Sequence, residues 1–146
     1  SGNGRPALDI PVYDLSEYLV DVLGLIPPKG KIEEVVTYHD PCHLARGMGV
    51  VAAPRHLLLK IPGLRLSEMK EANWCCGGAG SYNITHYEMS QKILARKLAN
   101  IEETGASIVA TPCPGCQLQI GYGLRQKGAA TRIAHPVELL WEAYQV

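Results

Sequence analysis

The chain has 146 residues, enough for one domain with a substantial apolar core that needs no disulfides. Its 14 Lys and Arg residues balance 14 Asp and Glu residues without long runs of either sign, which argues against a surface for nucleic acid or an anionic membrane. No apolar stretch approaches the roughly 18 to 20 residues of a membrane span, and no secretory signal pattern opens the sequence, so we expect a cytoplasmic protein without direct membrane insertion.

The opening residues are expected to lie outside the folded domain. The sequence begins SGNG, without an initiator methionine, and this beginning is typical of a tag remnant or an interdomain linker. We therefore predict a tag or linker over residues 1–9 and a single domain over residues 10–146, cut from a longer protein.

The first half of the domain predicts a helix, a strand and the start of a second helix. In VYDLSEYLVDVLG, Asp14 is placed to cap a helix and Gly24 to end it. The apolar residues expected on one face of this helix are Leu15, Leu19, Val22 and Leu23. The β-branched and aromatic residues of EEVVTYHD predict a strand, and Asp40-Pro41 then predicts a helix start beside Cys42.

The second half alternates strands and helices. LRLSEM is a candidate strand, and Thr85 with Glu88 predicts the cap of a helix that runs to Gly105. ASIVATP and TRIAHP predict two further strands, separated by a helix in CPGCQLQIGYGLRQKG. Pro136 opens a last helix, whose predicted core face consists of Val137, Leu140, Trp141 and Tyr144.

This alternation predicts an α/β fold in three layers. We expect a mostly parallel sheet of about four strands, joined by right-handed crossovers, with helices on both faces. Ligands of such sheets bind at the loops that leave the carboxyl ends of the strands. All the cysteines of the chain fall in loops predicted to lie at this carboxyl edge, so the fold could bring them together.

The cysteines form the main chemical pattern of the sequence. They lie beside Pro, Gly and His rather than within apolar runs, as ligands or reactive thiols do. A disulfide framework is a poor explanation, because the number is odd and adjacent cysteines pair only through a strained ring. Metal or redox chemistry therefore remains for Cys42, Cys75, Cys76, Cys113 and Cys116.

Zinc and an iron-sulfur cluster both suit thiolate ligands. Structural zinc takes four ligands, commonly as two Cys-x-x-Cys pairs, whereas this chain has one such pair and a fifth thiol. A cluster explains more, because adjacent Cys75 and Cys76 can reach different irons, and because Cys42 and Cys113 lie near helix starts, which favour thiolates. The glycines that would let the backbone approach the cluster and direct N–H groups at it are Gly77, Gly78 and Gly80.

A third alternative concerns the CPGC motif. Cys113 and Cys116 have the spacing of a dithiol oxidoreductase at a strand-to-helix junction. This motif follows a late strand, however, and the alternative leaves the other cysteines without a role.

The histidines have competing interpretations. Three that lie near cysteines could donate hydrogen bonds to a cluster or act as ligands, but could equally be turn and cap residues: His39, His43 and His86. His135 is predicted to cap the last helix and His56 to be solvated. Most aromatic residues are expected in the core, whereas Trp74, beside Cys75, could shield a cluster from water.

Four motifs, HDPCH, WCCGGAGSY, TPCPGC and HPVELL, in this order and spacing resemble one known family. They are similar to the cysteine-rich Cys-Cys-Gly (CCG) domain that is found in heterodisulfide reductase and in the glycolate oxidase iron-sulfur subunit. The resemblance extends from about Val35 to the C-terminus. The loop CCGGAGSY is closer to the glycolate oxidase type.

The resemblance implies a 4Fe-4S cluster, noncubane in the heterodisulfide reductase branch, with all five cysteines of the motif as ligands. It implies electron transfer within a multi-subunit oxidoreductase that oxidises a 2-hydroxy acid such as glycolate or lactate, or reduces a heterodisulfide. Expected partners are a flavin-containing oxidase subunit and other iron-sulfur domains, which could bring this cytoplasmic domain to a membrane face. Because the family usually carries two copies of the domain, this chain is expected to be the second copy. Alone it would have no complete active site and could hold zinc or no cluster.

Overall fold

The computed structural model describes residues 11–78 and 81–145, with the side chain of Asn83 excepted. The predicted tag or linker over residues 1–9 and the predicted cluster-facing Gly80 lie outside the described residues. The first described residues lead into a short helical segment, which Asp14 caps by accepting a hydrogen bond from the backbone N–H of Ser16 at 2.9 Å.

Four short strands form one parallel sheet. They are β1 (Val35–Tyr38), β2 (Arg65–Leu66), β3 (Ile108–Ala110) and β4 (Arg132–Ala134), in the spatial order β2-β1-β3-β4. All three neighbouring pairs are parallel. The predicted mostly parallel sheet of about four strands is therefore confirmed, and the carboxyl ends of β1, β2 and β3 meet at one edge.

The helices fill the connections between the strands. Two segments, Tyr18–Val22 and His43–Met48, form π-helical turns. The α-helices are α1 (Leu15–Glu17), α2 (Ala52–Leu59), α3 (Tyr82–Thr85), α4 (Tyr87–Glu103), α5 (Pro114–Gln126) and α6 (Pro136–Gln145). Within residues 11–78 and 81–145, no helix is both long and apolar enough to cross a membrane.

Alternate residues of the central strand β3 contact helices on opposite faces of the sheet. Ile108 and Ala110 belong to one apolar core with residues of α2 and α6, whereas Val109 belongs to a second core with residues of α4 and α5. This division follows from the two-residue period of a strand. The chain is thus an α/β domain in three layers, with α2 and α6 on one face and α4 and α5 on the other.

The predicted core faces of the first and last helices need correction. On α6, Trp141 and Tyr144 are exposed, and the residues that pack against the sheet are Pro136, Leu139, Leu140 and Ala143. The spacing of the apolar face was right, but its position was wrong by one residue. In the first helical segment, Leu15, Val22 and Leu23 are exposed and Leu19 alone of the predicted four packs on the core, because a π-helical turn changes the direction of successive side chains.

Of the helix-start predictions at Thr85, Asp40 and His135, one cap is wrong, one start is found without a side-chain cap, and one cap is confirmed. Thr85 ends α3, and α4 begins after it, at Tyr87, without a side-chain cap. Asp40 does not cap the helical turn that follows it, because its carboxylate pairs with Arg55. The prediction for His135 is confirmed, since its Nδ1 accepts a hydrogen bond from the backbone N–H of Val137 at 3.0 Å.

Helices α4 and α5 approach each other closely at a glycine of α5. A Cβ atom at Gly123 would lie 2.8 Å from Cδ1 of Leu98 and 3.0 Å from Cδ2 of Leu94, closer than real Cβ contacts. Gly123, one of the two internal glycines that weaken α5 as an isolated helix, therefore allows the close packing of α4 and α5.

Candidate metal centre

The carboxyl ends of three neighbouring strands place the five cysteines at one edge of the sheet. Cys42 follows β1 and precedes a π-helical turn, and Cys75 and Cys76 lie in the loop after β2. Cys113 follows β3 as the residue before α5, and Cys116 lies in the first turn of α5. The predicted location of the cysteine loops is confirmed, and Cys42 and Cys113 do immediately precede helical segments.

The innermost part of the site consists of two thiols and one imidazole. A ring nitrogen of His39 and the sulfurs of Cys76 and Cys116 lie within 4.8 Å of one another. All three side chains are buried, and His39 is fully inaccessible to solvent. Among the described residues, neither ring nitrogen of His39 has a hydrogen-bond partner, which is costly for a buried polar group.

The other three cysteines surround this inner group and are only partly buried. Cys42, Cys75 and Cys113 are half-exposed, and all five thiols are reduced. Cys42 interacts with Cys75 and with the charge of Cys76, while Cys113 interacts with Cys116. The five thiols therefore share one edge of the sheet, with two of them buried and three partly exposed.

The thiols ionise unequally. A hydrogen bond from the Cys116 thiol lowers the pKa of Cys76, and His39 and the backbone N–H of Gly78 act in the same direction against the effect of burial. The same hydrogen bond, together with burial, raises the pKa of Cys116. The two sulfurs thus share a proton, with the thiolate on Cys76. At Cys42, burial and then the negative charge of Cys75 raise the pKa.

The glycine loop after Cys76 directs backbone groups at sulfur. The N–H of Gly77 donates to Sγ of Cys75 at 3.2 Å. Gly77 has a φ of +87°, in the region that favours glycine, and a Cβ there would lie only 2.7 Å from the carbonyl oxygen of Ser90. Glycine is therefore required at residue 77 both by its backbone conformation and by its contact with α4. The predicted approach of this backbone to a bound cluster stays a prediction.

Two residues that the sequence did not single out hold this loop in place. Ser90 Oγ donates to the carbonyl oxygen of Gly77 at 2.9 Å, and Gln119 Nε2 donates to Ser90 Oγ at 3.0 Å and to the carbonyl oxygen of Cys76 at 3.4 Å. Both side chains are buried. They join α4 and α5 to the cysteine loop. The only signal in the sequence is a polar residue on the apolar face of each helix.

An ion-pair network supports the same edge from the side of β1. Arg55 on α2 makes a bidentate pair with Asp40, with nitrogen to oxygen distances of 2.7 and 2.8 Å, and also binds Glu68 at 2.6 Å. Its guanidinium lies 4.9 Å from the ring centroid of Tyr38. Asp40 is buried. Burial opposes the charge of Arg55, but the hydrogen bonds that its guanidinium donates to Asp40 and Glu68 raise its pKa overall. The network fixes the segment between His39 and Cys42.

The remaining histidines and Trp74 lie outside the inner group. His43 and His86 are exposed, and His86 stacks on Tyr82 with ring centroids 4.8 Å apart. His56 is exposed, as predicted. Of the three histidines that could be either site residues or turn and cap residues, only His39 lies beside the buried thiols of Cys76 and Cys116. Trp74 is 49% exposed and faces a small cavity that Cys75 also lines, so it covers one side of the cluster only in part.

The donor set fits a metal group that prefers thiolates. Five sulfurs, a buried imidazole without a partner and backbone N–H groups directed at sulfur converge on one edge of the sheet. Soft thiolate ligands select zinc, copper(I) or iron-sulfur clusters among the common metal groups. The bound group would give His39 the interaction that the protein alone does not provide.

Comparison with known proteins gives related sequences over most of the chain. A probable glycolate oxidase iron-sulfur subunit of Bacillus subtilis (strain 168) is 45% identical over 112 residues, which are 75% of this chain and 25% of the relative. A fumarate reductase (CoM/CoB) subunit of Methanothermobacter marburgensis is 38% identical over 141 residues, 96% of this chain and 29% of the relative. Lactate utilization protein A of Halalkalibacterium halodurans is 34% identical over 128 residues, 88% of this chain and 52% of the relative.

The chain thus spans between a quarter and about half of the length of these relatives. The sequence profile of the cysteine-rich domain, CCG, matches residues 36–121. This match begins in β1, ends in α5 and includes all five cysteines and His39. On this match and on the geometry of its cysteine loops, the chain belongs to the CCG cysteine-rich domain family.

Proposed function

We propose that this chain is an electron-transfer domain that holds an iron-sulfur cluster within a multi-subunit oxidoreductase, most similar to the iron-sulfur subunits of glycolate or lactate oxidation. The observation that carries the proposal is the convergence of five thiols on one sheet edge, where His39 is buried beside two of them without a hydrogen-bond partner. Two of the named relatives are a glycolate oxidase iron-sulfur subunit and a lactate utilization protein.

The proposed ligands are Cys42, Cys75, Cys76, Cys113 and Cys116. When bound, a 4Fe-4S cluster, including the noncubane type, would accept and pass on single electrons. The partly exposed thiols would place it within reach of a partner, and a flavin-containing subunit and other iron-sulfur domains are the partners we propose.

The residues around the thiols have separate roles in this proposal. The N–H of Gly77 stabilises negative charge on the sulfur of Cys75, and the hydrogen bonds of Ser90 and Gln119 keep the loop in the position that this donation requires. His39 offers a nitrogen to the innermost sulfurs and excludes water from them. The protein thus supplies a preorganised and partly dry environment for an anionic group.

A zinc-binding structural domain is the second candidate. His39, Cys76 and Cys116 alone bring three donor atoms within 4.8 Å of one another, and a tetrahedral zinc site needs one more. This candidate leaves at least one thiol outside the coordination sphere, and for that reason we place it second.

The deciding experiment is the metal content of protein reconstituted and kept under anaerobic conditions. Iron, zinc and acid-labile sulfide would be measured together with an EPR spectrum of the reduced and oxidised protein. Iron and sulfide in near-equal amounts, with a cluster signal, are the expected result. Zinc without sulfide after reconstitution would contradict the proposal and support the structural zinc domain.

The same preparation tests the dithiol alternative at Cys113 and Cys116. Metal-free, reduced protein would be assayed for insulin reduction, with the double variant Cys113→Ser and Cys116→Ser as the control. We expect no activity above this control. Substantial activity in the absence of metal would make the protein a thiol-disulfide oxidoreductase instead.

A further inference from the structure

Helix α4 carries a lysine in the protein interior. Lys97 is 2% exposed, although lysine is among the residues least often buried without a partner. It lies one helical turn from Leu94 and Ile101, on the side of α4 that packs against the sheet. An ammonium group in this position requires compensation by negative charge or several hydrogen bonds.

The direct contacts of Lys97 do not supply that charge. Its Nζ donates to the backbone carbonyl oxygen of Glu71 at 2.6 Å and lies 3.9 Å from Sδ of Met69, and both acceptors are neutral. Within the described part of the chain, no carboxylate lies within 4.0 Å of its ammonium group.

The two nearest carboxylates are already paired with arginines. Glu71 is bound by Arg96, with one distance of 2.8 Å, and by Asn100. Asp40 is bound in bidentate fashion by Arg55. Each of these carboxylates therefore has its own cation, and Lys97 remains as a buried positive charge without a dedicated carboxylate.

The thiol cluster is the remaining source of negative charge. Lys97 and Cys75 line the same cavity of about 100 Å³, which Trp74 also borders. Burial lowers the pKa of Lys97, whereas negative charge on Cys76, on the two carboxylates and on Cys75 acts in the opposite direction, with Cys76 the largest of these. Lys97 and Cys75 thus border one small cavity, together with the ion pair of Glu71 and Arg96.

We propose that Lys97 is a positioning residue that acts as a buried positive counter-charge of the cysteine centre and raises the reduction potential of the group bound there. The part concerning potential rests on the proposed function. One-electron reduction adds one negative charge to the bound group and breaks no bond, so a nearby buried cation stabilises the reduced form more than the oxidised form.

The first test is the midpoint potential of the reconstituted cluster, measured by EPR during titration with dithionite. Lys97→Met removes the charge and keeps the length of the side chain, Lys97→Arg keeps the charge, and Lys92→Met removes an exposed lysine of the same helix as the matched control. We expect a lower potential in Lys97→Met alone. A wild-type potential in folded and loaded Lys97→Met would overturn the inference.

A second test does not depend on a cluster. In the reduced, metal-free protein, the rate at which iodoacetamide alkylates the cysteine centre would be followed by mass spectrometry at pH 7, because the thiolate is the reactive form. We expect alkylation to be several-fold slower in Lys97→Met than in wild type and Lys92→Met. Equal rates would overturn the counter-charge itself.

These two tests separate the inference from the proposed function. If the wild-type protein takes up no iron and sulfide, the proposed function fails, while the alkylation rates still decide the role of Lys97. Circular dichroism would establish that each variant folds. Lys97→Gln, which is also neutral but can still donate a hydrogen bond to Glu71, replaces Lys97→Met if the latter does not fold.

Discussion

The two faces of the sheet are built from different kinds of residue. Towards α2 and α6, the buried cluster is almost entirely hydrocarbon, with Leu57, Leu58 and Leu139 at its centre. Towards α4 and α5, apolar residues alternate with buried polar ones and with two cysteines. The buried polar residues on helices α4 and α5 are Ser90, Lys97 and Gln119, and the cysteines of this cluster are Cys76 and Cys116.

This difference separates stability from chemistry. The face towards α2 and α6 gains free energy from the burial of apolar surface, and the hydroxyl of Tyr38 is a polar group in its cluster that lacks a hydrogen-bond partner among the described residues. A face that contains amide, hydroxyl and ammonium groups gains less, because each must be desolvated and paired. Both faces contribute apolar burial, but the polar groups that hold the cysteine loop lie on the face towards α4 and α5. We therefore expect substitutions on the face towards α2 and α6 to change mainly the free energy of unfolding. Substitutions of polar residues on the face towards α4 and α5 should change mainly the uptake of metal.

The largest expected effect is the loss of the metal centre in Cys76→Ser. Cys76 is the innermost thiolate, and serine is a poor ligand for a soft metal group, so iron uptake should fall to near background in anaerobic reconstitution. His56→Ala, which changes an exposed residue of α2, is the control and should load as wild type. Iron and sulfide analysis with EPR provides the measurement. An unchanged spectrum and iron content would remove Cys76 from the ligand set.

The next effect concerns the apolar face. Leu139→Ala deletes a fully buried side chain and should lower the free energy of unfolding by about 2–5 kcal/mol in urea titrations. Trp141 lies on the same helix but is 64% exposed, so Trp141→Ala should lower the free energy of unfolding by much less. Iron uptake per folded molecule should be unaffected in both. A larger cost for Trp141→Ala would contradict the face that we assign to α6.

A smaller effect is expected at Gly77, on the polar side. Gly77→Ala introduces a side chain at positive φ and places its Cβ 2.7 Å from a carbonyl oxygen. The free energy of unfolding should therefore fall by about 1–3 kcal/mol, and metal loading should be weaker. Gly105 has a φ of +66° and open space, so Gly105→Ala isolates the backbone cost. Equal losses of stability and equal loading in the two variants would show that contact with α4 is unimportant.

The smallest effect is a pH dependence at the start of α6. Burial lowers the pKa of His135 from its usual value of 6.5, against the opposing charges of Glu138 and Asp14. Below about pH 6.5 the unfolded chain therefore binds more protons at this residue than the native state does, and stability falls as the pH is lowered.

His135→Asn should reduce this slope, because asparagine can cap the helix without titrating. Urea titrations between pH 7.5 and pH 5.5 would measure it, with His56→Asn as the control for loss of an exposed histidine. Identical slopes in both variants would mean that His135 does not contribute.

The strands and the cysteine loops could be predicted from the sequence because local and global signals agree there. A buried parallel strand such as Ile108–Ala110 has a short apolar run, and the Pro and Gly residues beside each cysteine mark the loops that follow. Once the strands are parallel, their carboxyl ends share an edge. The location of the thiols then follows from topology, whereas their role as ligands stays a prediction.

The buried faces of the helices were harder to predict, because a helix with apolar residues on more than one side has two sets of residues with the spacing of a core face. In α6 the sets containing Trp141 and Leu139 have the same spacing, and only the sheet decides which one is buried. Thr85 was predicted to cap α4, but it is instead the last residue of the short helix α3. In α4, Ser90 and Lys97 look like residues of a solvated surface, and only tertiary contacts with Gly77 and Glu71 reveal otherwise.

The contact at Gly123 has a consequence for how tolerant the domain is to substitution. Helix α4 carries Ser90, and α5 carries Cys116 and Gln119, so the spacing of these two helices sets the distance between the Cys116 thiol and the groups that align the cysteine loop. A Cβ atom at Gly123 would meet side-chain methyl groups of Leu94 and Leu98 on α4. The tolerance of the cysteine loop to a substitution in this distant contact therefore depends on how far two leucine side chains can repack without moving either helix.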